Sequence, residues 1–419
     1  MAQKYKYLHL VNYNTFLLWD IKRYFMTQVA SSHPIVKLGD YIQEEGTKYN
    51  ISDKTKTYGI LGVNNQTGIF DAYEENGSKI KQKYKKMQVG WIAYNPYRVN
   101  VGSIGIRIEE HLFEYISPAY VVFSCKKGLL PEFLFLLMKT DLFNKIIREN
   151  TTGSVRQNLN YSVLSNLQIP LPSLAEQNKI IAAYNATIAQ AKQYSTQAKD
   201  IDKQIEKYLN IALGIEESSV KKHESGKLYF MSSNQLTRWD VWNVSTNGYS
   251  KKYPLHYLHN VITMQSGKFL PSKAQKGGEY NVYGGNGLTG THNEFCFTGK
   301  RIVIGRVGEY CGNVHLIDGN YWITDNALKV DKIADEVTWD FLAIALQALN
   351  INQYRSISAQ PSISQTKILQ LQIPIPPLHT QNEIVEHITR LRNKQKDLQQ
   401  KSLTLRQQAT QQFEQTIFN

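Results

Sequence analysis

The sequence predicts an α+β protein: two globular domains separated by two long antiparallel coiled-coil helices, arranged as a pseudo-twofold internal repeat. Three observations lead there. Short blocks of sequence recur in the same order in the two halves. Each half ends at a proline-punctuated junction. Each junction opens onto a long run with helical periodicity.

The repeat is read from offsets. Trp19-Asp20 recurs as Trp239-Asp240, and Pro34 and Leu38 recur as Pro254 and Leu258, all 220 residues on. Pro131-Glu132-Phe133-Leu134 aligns with Trp339-Asp340-Phe341-Leu342 at an offset of 208. Leu167-Gln168-Ile169-Pro170-Leu171-Pro172 aligns with Leu371-Gln372-Ile373-Pro374-Ile375-Pro376 at 204, and so do Gln177-Asn178 with Gln381-Asn382 and Ile180 with Ile384. A steadily falling offset fits two homologous halves with extra loop residues in the first.

Each half begins with a mixed segment rich in Gly, Tyr, Asn and β-branched residues. Tyr120-Val121-Val122-Phe123 and Ile302-Val303-Ile304 predict strands. Glu132 to Arg148 and Trp339 to Leu349 predict helices. The junction prolines then block helix continuation and set up a new start. From Ala175 to Leu213 there is no proline or glycine, and Ile181, Tyr184, Ile188, Ala191, Tyr194, Ala198, Ile201, Ile205 and Leu209 recur at steps of three and four with one slip near Ala191. The second run, His379 to about Phe418, carries Ile384, Ile388, Leu391, Leu398 and Leu405, with Gln395 and Ser402 holding the same register. Each helix would be about 58 Å long at 1.5 Å per residue. A polar helix of that length needs a partner, and the other half's helix is the obvious one.

Composition narrows the function. The chain has 419 residues with 48 Lys+Arg against 35 Asp+Glu, a net charge of +13. The mixed segments 1–172 and 219–376 carry +7 and +5, while 173–218 and 377–419 carry −1 and +2. Charge therefore sits in two heads joined by near-neutral helices, as expected for a protein that grips an anion such as nucleic acid twice. No apolar run approaches a membrane span, and no secretory signal opens the chain. Cys125, Cys296 and Cys311 are too scattered for a disulfide framework or a zinc site, which fits a cytoplasmic location. The 10 histidines show no metal-ligand spacing, and no P-loop is present. Tyrosine is abundant, at 26 residues.

The duplicated halves, the repeated Ile-Pro-Leu-Pro and Ile-Pro-Ile-Pro-Pro junctions with their following Gln-Asn and long helix, and the Trp-Asp openings together resemble a known family. So do Tyr283-Gly284-Gly285-Asn286-Gly287-Leu288-Thr289-Gly290 and Lys300-Arg301-Ile302-Val303-Ile304-Gly305-Arg306-Val307-Gly308. The chain resembles the DNA-specificity subunit of a type I restriction-modification system over essentially its whole length. The resemblance implies target-recognition domains at 1–172 and 219–376, with spacer helices at 173–218 and 377–419. It implies a non-catalytic subunit that reads a bipartite, asymmetric site on double-stranded DNA. It implies docking of two adenine-N6 methyltransferase subunits and, through them, endonuclease/translocase subunits. S-adenosylmethionine, Mg and ATP would be bound in those partners, and no cofactor in this chain. A free-standing nucleic-acid-binding scaffold with no methyltransferase partner stays open beside that reading.

Candidate contacts follow from chemistry. Gly285-Asn286-Gly287-Leu288-Thr289-Gly290 matches G-x-G-x-x-G, but a dinucleotide site needs a helix to open there, and Thr291 to Phe297 does not read as one. A glycine loop approaching DNA, or a plain tight turn, explains it better. In the first half Tyr58 to Asn65 takes its place, with a different loop shape. Lys79, Lys81, Lys83 and Lys85 alternate and would line one face of an extended segment, with Lys86 extending the patch. Such a row neutralises phosphates or protects an edge strand. Asn95-Pro96-Tyr97 lacks the second proline of the adenine-binding motif of amino-methyltransferases and reads as a strand end, with Arg98 facing phosphate. Arg156 and Gln157, and Arg355 with Gln360, fall at matching places before the two junctions. Arg, Gln and Asn are bidentate readers of guanine and adenine, though surface polarity explains them equally well. The same alternatives apply to Asn286, Lys300, Arg301 and Arg306.

Overall fold

Backbone pairing in the computed structural model closes each half of the chain on itself. The structure describes residues 27–99, 102–150, 158–215, 250, 252–356 and 360–418. They divide into two units, residues 1–193 with 401–419 and residues 194–400.

In the first unit ten strands come first: β1 (Ile35–Lys37), β2 (Ile42–Glu44), β3 (Lys48–Tyr49), β4 (Thr57–Asn64), β5 (Gly68–Asn76), β6 (Tyr84–Lys86), β7 (Ile92–Tyr94), β8 (Ile104–Ile106), β9 (Tyr115–Ile116) and β10 (Val121–Cys125). Helices α1 (Pro131–Lys139), α2 (Asp141–Asn150) and α3 (Tyr161–Ser165) follow, then β11 (Gln168–Pro170). One antiparallel sheet has the order β2-β10-β7-β8, and a mixed sheet has the order β3-β6-β9-β4-β5 with β4 and β9 parallel. Phe123, Phe133, Leu137, Phe143 and Leu164 are buried together where α1, α2 and α3 meet the first sheet. The single helix expected from Glu132 to Arg148 is two helices. Thr140 has extended ψ (152°), and its hydroxyl donates to Leu137 O (2.7 Å) and accepts from Phe143 N (3.3 Å). The side chain thus takes over backbone groups that a continuous helix would pair.

The second unit continues with α4 (Leu174–Leu213), whose latter part it contains, and then β12 (Leu255–Tyr257), α5 (Leu258–Val261) and β13 (Ile262–Ser266). Seven strands follow: β14 (Tyr280–Gly284), β15 (Gly287–His292), β16 (Phe297–Thr298), β17 (Arg301–Gly305), β18 (Val314–Ile317), β19 (Asn320–Ile323) and β20 (Ala327–Ile333). Helices α6 (Trp339–Ala348) and α7 (Gln365–Leu369), strand β21 (Gln372–Pro374) and the earlier part of helix α8 (Leu378–Phe418) complete it. The sheets repeat the first unit's plan. Order β13-β20-β17-β18 matches β2-β10-β7-β8, and β15-β14-β19 matches β5-β4-β9, again with the inner pair parallel. Helix α6 starts where Thr338 caps Phe341 N (3.3 Å). It buries Phe341, Leu342 and Ile344 against Ile302, Ile304 and Val330.

The long helices belong to both units, and in each the two run antiparallel. Helix α4 opens on a capping box: Ser173 N donates to the Glu176 carboxylate (3.0 Å) and Glu176 N to Ser173 Oγ (3.4 Å). In the first unit Ser402 Oγ donates to Ala191 O (2.8 Å), and the Phe413 ring lies 6.3 Å from Tyr184 and 5.8 Å from Phe133. In the second, Gln395 Nε2 donates to Ala198 O (3.0 Å) and Asp202 Oδ1 (2.7 Å), and Tyr208 stacks on His387 with ring centroids 4.0 Å apart. The polar residues that interrupt the apolar stripe of α8 thus spend their donors on α4.

The repeated glutamine has a structural reason. Gln177 and Gln381 are both 0% exposed. Gln177 Nε2 donates to Gly128 O and Pro172 O (both 2.9 Å), and its Oε1 accepts from Leu130 N (2.9 Å). Gln381 Nε2 donates to Glu336 O (2.7 Å) and Pro376 O (2.9 Å), and its Oε1 accepts from Thr338 N (2.9 Å). Each amide ties the start of a long helix to the loop before the main helix of its own domain, with all three bonds made in the interior.

Candidate nucleic-acid interface

Three segments meet at one end of the second domain. The first is the hairpin turn between β14 and β15, where Gly284 pairs with Gly287 across Gly285-Asn286. Gly287 has φ +84°, a left-handed conformation that glycine accepts without strain. The second is the loop Arg306–Asn313 between β17 and β18. The third is the chain that follows α6. The loop and the third segment are joined by backbone bonds: Gly308 N to Pro361 O (2.8 Å) and Ile363 N to Arg306 O (2.9 Å). Arg306 N also donates to Asn326 O (2.9 Å).

This cluster gathers Asn286, Arg306, Arg355 and Gln360, all exposed. Arg306 Nη1 reaches Ser266 Oγ (3.1 Å), Asn286 Oδ1 accepts from Asn313 Nδ2 (3.4 Å), and Arg355 Nη1 reaches Glu309 O (3.4 Å). Two guanidinium groups and two amides suit phosphates and purine edges, and the exposed Glu309 carboxylate could accept from a cytosine amino group. Asn352 organises the loop from beneath, its Nδ2 donating to Glu309 O (3.2 Å) and Cys311 O (2.6 Å).

The glycines are spent on internal packing. A side chain at Gly285 would meet Val307 O at 2.7 Å, and one at Gly287 would meet the His315 ring at 2.9 Å. The strand β15 follows, so no helix N-terminus stands ready for a pyrophosphate, and the G-x-G-x-x-G match is a hairpin. Its counterpart in the first half is the turn Asn64–Gly68, where the Asn64 side chain accepts from Gln66 N (2.9 Å) and Thr67 N (2.7 Å) and Gly68 is again left-handed (φ +77°). The segment Tyr58 to Asn65 is mostly the preceding strand.

Lys300 and Arg301 do not join the cluster. They sit at the opposite end of β17, about 17 to 20 Å from Arg306 by strand rise. Lys300 Nζ pairs with Asp340 Oδ2 (2.6 Å), and the Arg301 guanidinium lies over the Trp339 ring at 5.7 Å. Both fasten the start of α6 to the sheet.

In the first domain the same three positions hold the turn Asn64–Gly68, the β7–β8 loop and the chain before α3. Tyr97 and the exposed Arg98 are in that loop. Asn95 Oδ1 accepts from Tyr97 N (3.0 Å), so the Asn-Pro-Tyr segment is a side-chain-stabilised turn after β7. Leu159 N donates to Pro96 O (3.0 Å), as Ile363 N does to Arg306 O. Arg156 and Gln157 lie outside the described residues, as do Trp19-Asp20 and Trp239-Asp240.

The alternating lysines are not one face of a strand. Lys79 ends a 3-10 turn and pairs with Glu75 (3.6 Å). Lys81 and Lys83 are exposed ahead of β6. Lys85 is buried, its Nζ donating to Tyr120 O (2.8 Å), and Lys86 pairs with Glu114 (3.1 Å). The reason is that only Tyr84–Lys86 is extended, and β6 lies inside its sheet between β3 and β9. The edge-protection reading fails for Lys85 on the same ground. Burial holds the Lys85 amine below its usual pKa.

Among the described residues no three His, Cys, Asp or Glu side chains gather to hold a metal. The cysteines are unpaired thiols, and burial pushes Cys125 up to about 12, far from a thiolate at neutral pH. No helix among the described residues is long and apolar enough to cross a membrane.

Comparison with known proteins agrees. A curated relative, the type I restriction enzyme EcoprrI specificity subunit of Escherichia coli, is 32% identical over 123 residues, 29% of this chain and 28% of that protein. The matched stretch thus spans under a third of the relative's own length. A solved chain from work on complex assembly and conformational transition of the type I R-M system superposes with a TM-score of 0.56 at 15% identity, covering 93% of this chain and 97% of that one. The S subunit of a type I system from M. genitalium gives a TM-score of 0.49 at 14% identity, over 93% and 97% of the two chains. The family described as type I restriction modification DNA specificity domain matches twice, at residues 35–207 and 221–405, once for each half of the repeat. The chain belongs to the type I restriction-modification DNA specificity family.

Proposed function

We propose that this chain is the non-catalytic recognition subunit of a type I restriction-modification complex. It reads a bipartite, asymmetric site on double-stranded DNA, one half-site per domain, and docks adenine-N6 methyltransferase and endonuclease subunits. The observation that carries the reading is the duplicated cluster: a hairpin turn, an inter-strand loop and the chain before the junction meet at the same place in both domains, with different side chains. The described residues of the clusters supply cations and amides, the groups that contact phosphates and base edges. The excess positive charge of both mixed segments adds the salt-dependent, sequence-independent part of the affinity. Exposed lysines such as Lys81 and Lys83 contribute to that part. S-adenosylmethionine, Mg and ATP belong to the partner subunits in this scheme.

The test is modified-base sequencing of a methylation-free host that co-expresses this chain with a candidate methyltransferase subunit. A split, asymmetric motif carrying N6-methyladenine on both strands, seen only with this chain, is the expected result. A stable complex that leaves DNA unmodified, while the same methyltransferase works with another specificity subunit, favours a scaffold without that role.

A further inference from the structure

The β7–β8 and β17–β18 loops each present one exposed tyrosine and one exposed arginine. Tyr97 is 55% exposed and Tyr310 is 51% exposed. A single exposed aromatic is ordinary on a protein surface, but these two stand on loops of the candidate interface whose described backbone is tied by hydrogen bonds. Gly308 (φ +96°) and Gly312 (φ +92°) fold the chain back on both sides of Tyr310. Cys311 N donates to Gly308 O (3.0 Å), Asn313 N to Tyr310 O (3.1 Å) and Gly312 N to Gly305 O (2.8 Å). Asn352 then clamps Glu309 O and Cys311 O from below. In the first domain the Asn95 side chain holds Tyr97 N, Arg98 N donates to Asn95 O (3.0 Å) and Ser103 N to Arg98 O (3.1 Å).

The two tyrosines do not occupy the same place in their loops. Tyr97 comes two residues after the first loop residue, Asn95, and Tyr310 comes four after Arg306. Equivalent loops have thus put an aromatic ring forward in two different ways, which is what two readers of different sequences require. Other exposed aromatics, such as Tyr73 and Phe269, are not on these loops.

We infer that Tyr97 and Tyr310 are specificity-determining residues, each placing a rigid phenol ring against base edges in the groove of its own half-site. This rests on the recognition function proposed above. Arginines 98, 306 and 355 hold phosphates or guanines around each ring, and the ring supplies an apolar contact, such as with a thymine methyl, that charge cannot. Tyrosine has only two side-chain torsions to fix, so its contact costs little conformational entropy on binding.

The experiment uses the full chain co-expressed with its methyltransferase partner and reads the methylated motif genome-wide for wild type, Tyr97→Ala and Tyr310→Ala. Each variant should relax base preference in one half-site, a different half for each, and leave the other half unchanged. Specific DNA binding should fall about tenfold, with non-specific binding and its salt slope unaltered. Tyr310→Phe should keep the motif if the ring makes the contact, and Tyr310→Leu, of similar apolarity, gives a second variant should Ala disturb the loop. Unchanged motifs in folded Ala and Leu variants overturn the inference while leaving the recognition function standing. Equal weakening of both half-sites by one substitution also overturns it, since that is a loss of stability and not of reading. If wild type itself directs no methylation with a competent partner, it is the proposed function that fails, and the tyrosine inference with it.

Discussion

Gln381 concentrates three interior hydrogen bonds in one side chain. Replacing it with leucine keeps the bulk and strands Thr338 N–H and the carbonyls of Glu336 and Pro376. Leaving such groups unpaired costs about 3 kcal/mol, so urea unfolding of Gln381→Leu should show a loss of that order. A loss under about 0.5 kcal/mol would mean that water satisfies these groups. His315 makes the second residue-scale prediction. Burial lowers its pKa from 6.5, and its ring lies under Gly287 of the hairpin. The unfolded chain takes up the proton near 6.5 and the folded chain resists it, so stability is retained above 6.5 and lost as pH falls from there towards the lower folded value. Thermal unfolding from about pH 7 down to about 5.5 should show this loss, and His315→Gln should flatten it. An identical pH profile in the variant would assign the loss to other groups.

At the scale of elements, the Arg306–Asn313 loop depends on a clamp from outside itself. Asn352→Ala removes both donors and should lower specific DNA affinity about tenfold, as expected when a preorganised loop must be ordered on binding. Circular dichroism should show an intact fold, and undiminished affinity would show that the loop's own backbone bonds suffice. Element legibility in the sequence follows from range. The long helices are readable because forty residues of one periodicity leave no alternative, and the junction prolines mark their start. The break at Thr140 is hidden because apolar residues continue on both sides of it. The lysine row misleads for a similar reason: alternation implies a common face only within a strand, and only Lys85 and Lys86 of the row lie in one. The candidate interface is legible in its glycines and in Arg306, Arg355 and Asn286. Its assembly is not, because Arg306 meets Ile363 and Arg355 meets Glu309 across long stretches of chain. Tyr97 stands in the Asn95-Pro96-Tyr97 segment the sequence singles out, while nothing in the sequence separates Tyr310 from the other 25 tyrosines.

At the scale of the whole molecule, both long helices are uninterrupted: α4 runs Leu174–Leu213 and α8 runs Leu378–Phe418. If they set the gap between half-sites, removing one heptad from each takes out about 10 Å of helix, or about three base pairs of DNA. Methylation mapping of that double deletion should return the same two half-sites with a shorter gap. An unchanged gap would remove the helices from that role. In the proposed scheme, the two halves carry two specificities on one duplicated plan. The sheets, the glutamine anchors and the junctions repeat, while the turn residues, the loop tyrosines and the flanking arginines differ.

The first and last described strands of each domain pair with one another, Ile35 opposite Pro170 in one ribbon and Leu255 opposite Pro374 in the other. Chain entry and chain exit therefore lie side by side at the root of each domain. A domain attached this way behaves as a plug-in cartridge: a gene segment bounded near codons 35 and 170 could be exchanged for another without re-laying the helices it plugs into. Recombination at those two points would hand a cell a new target site in a single event. The short proline-bearing ribbon, which touches no DNA in this scheme, is thus where new specificities would be inherited.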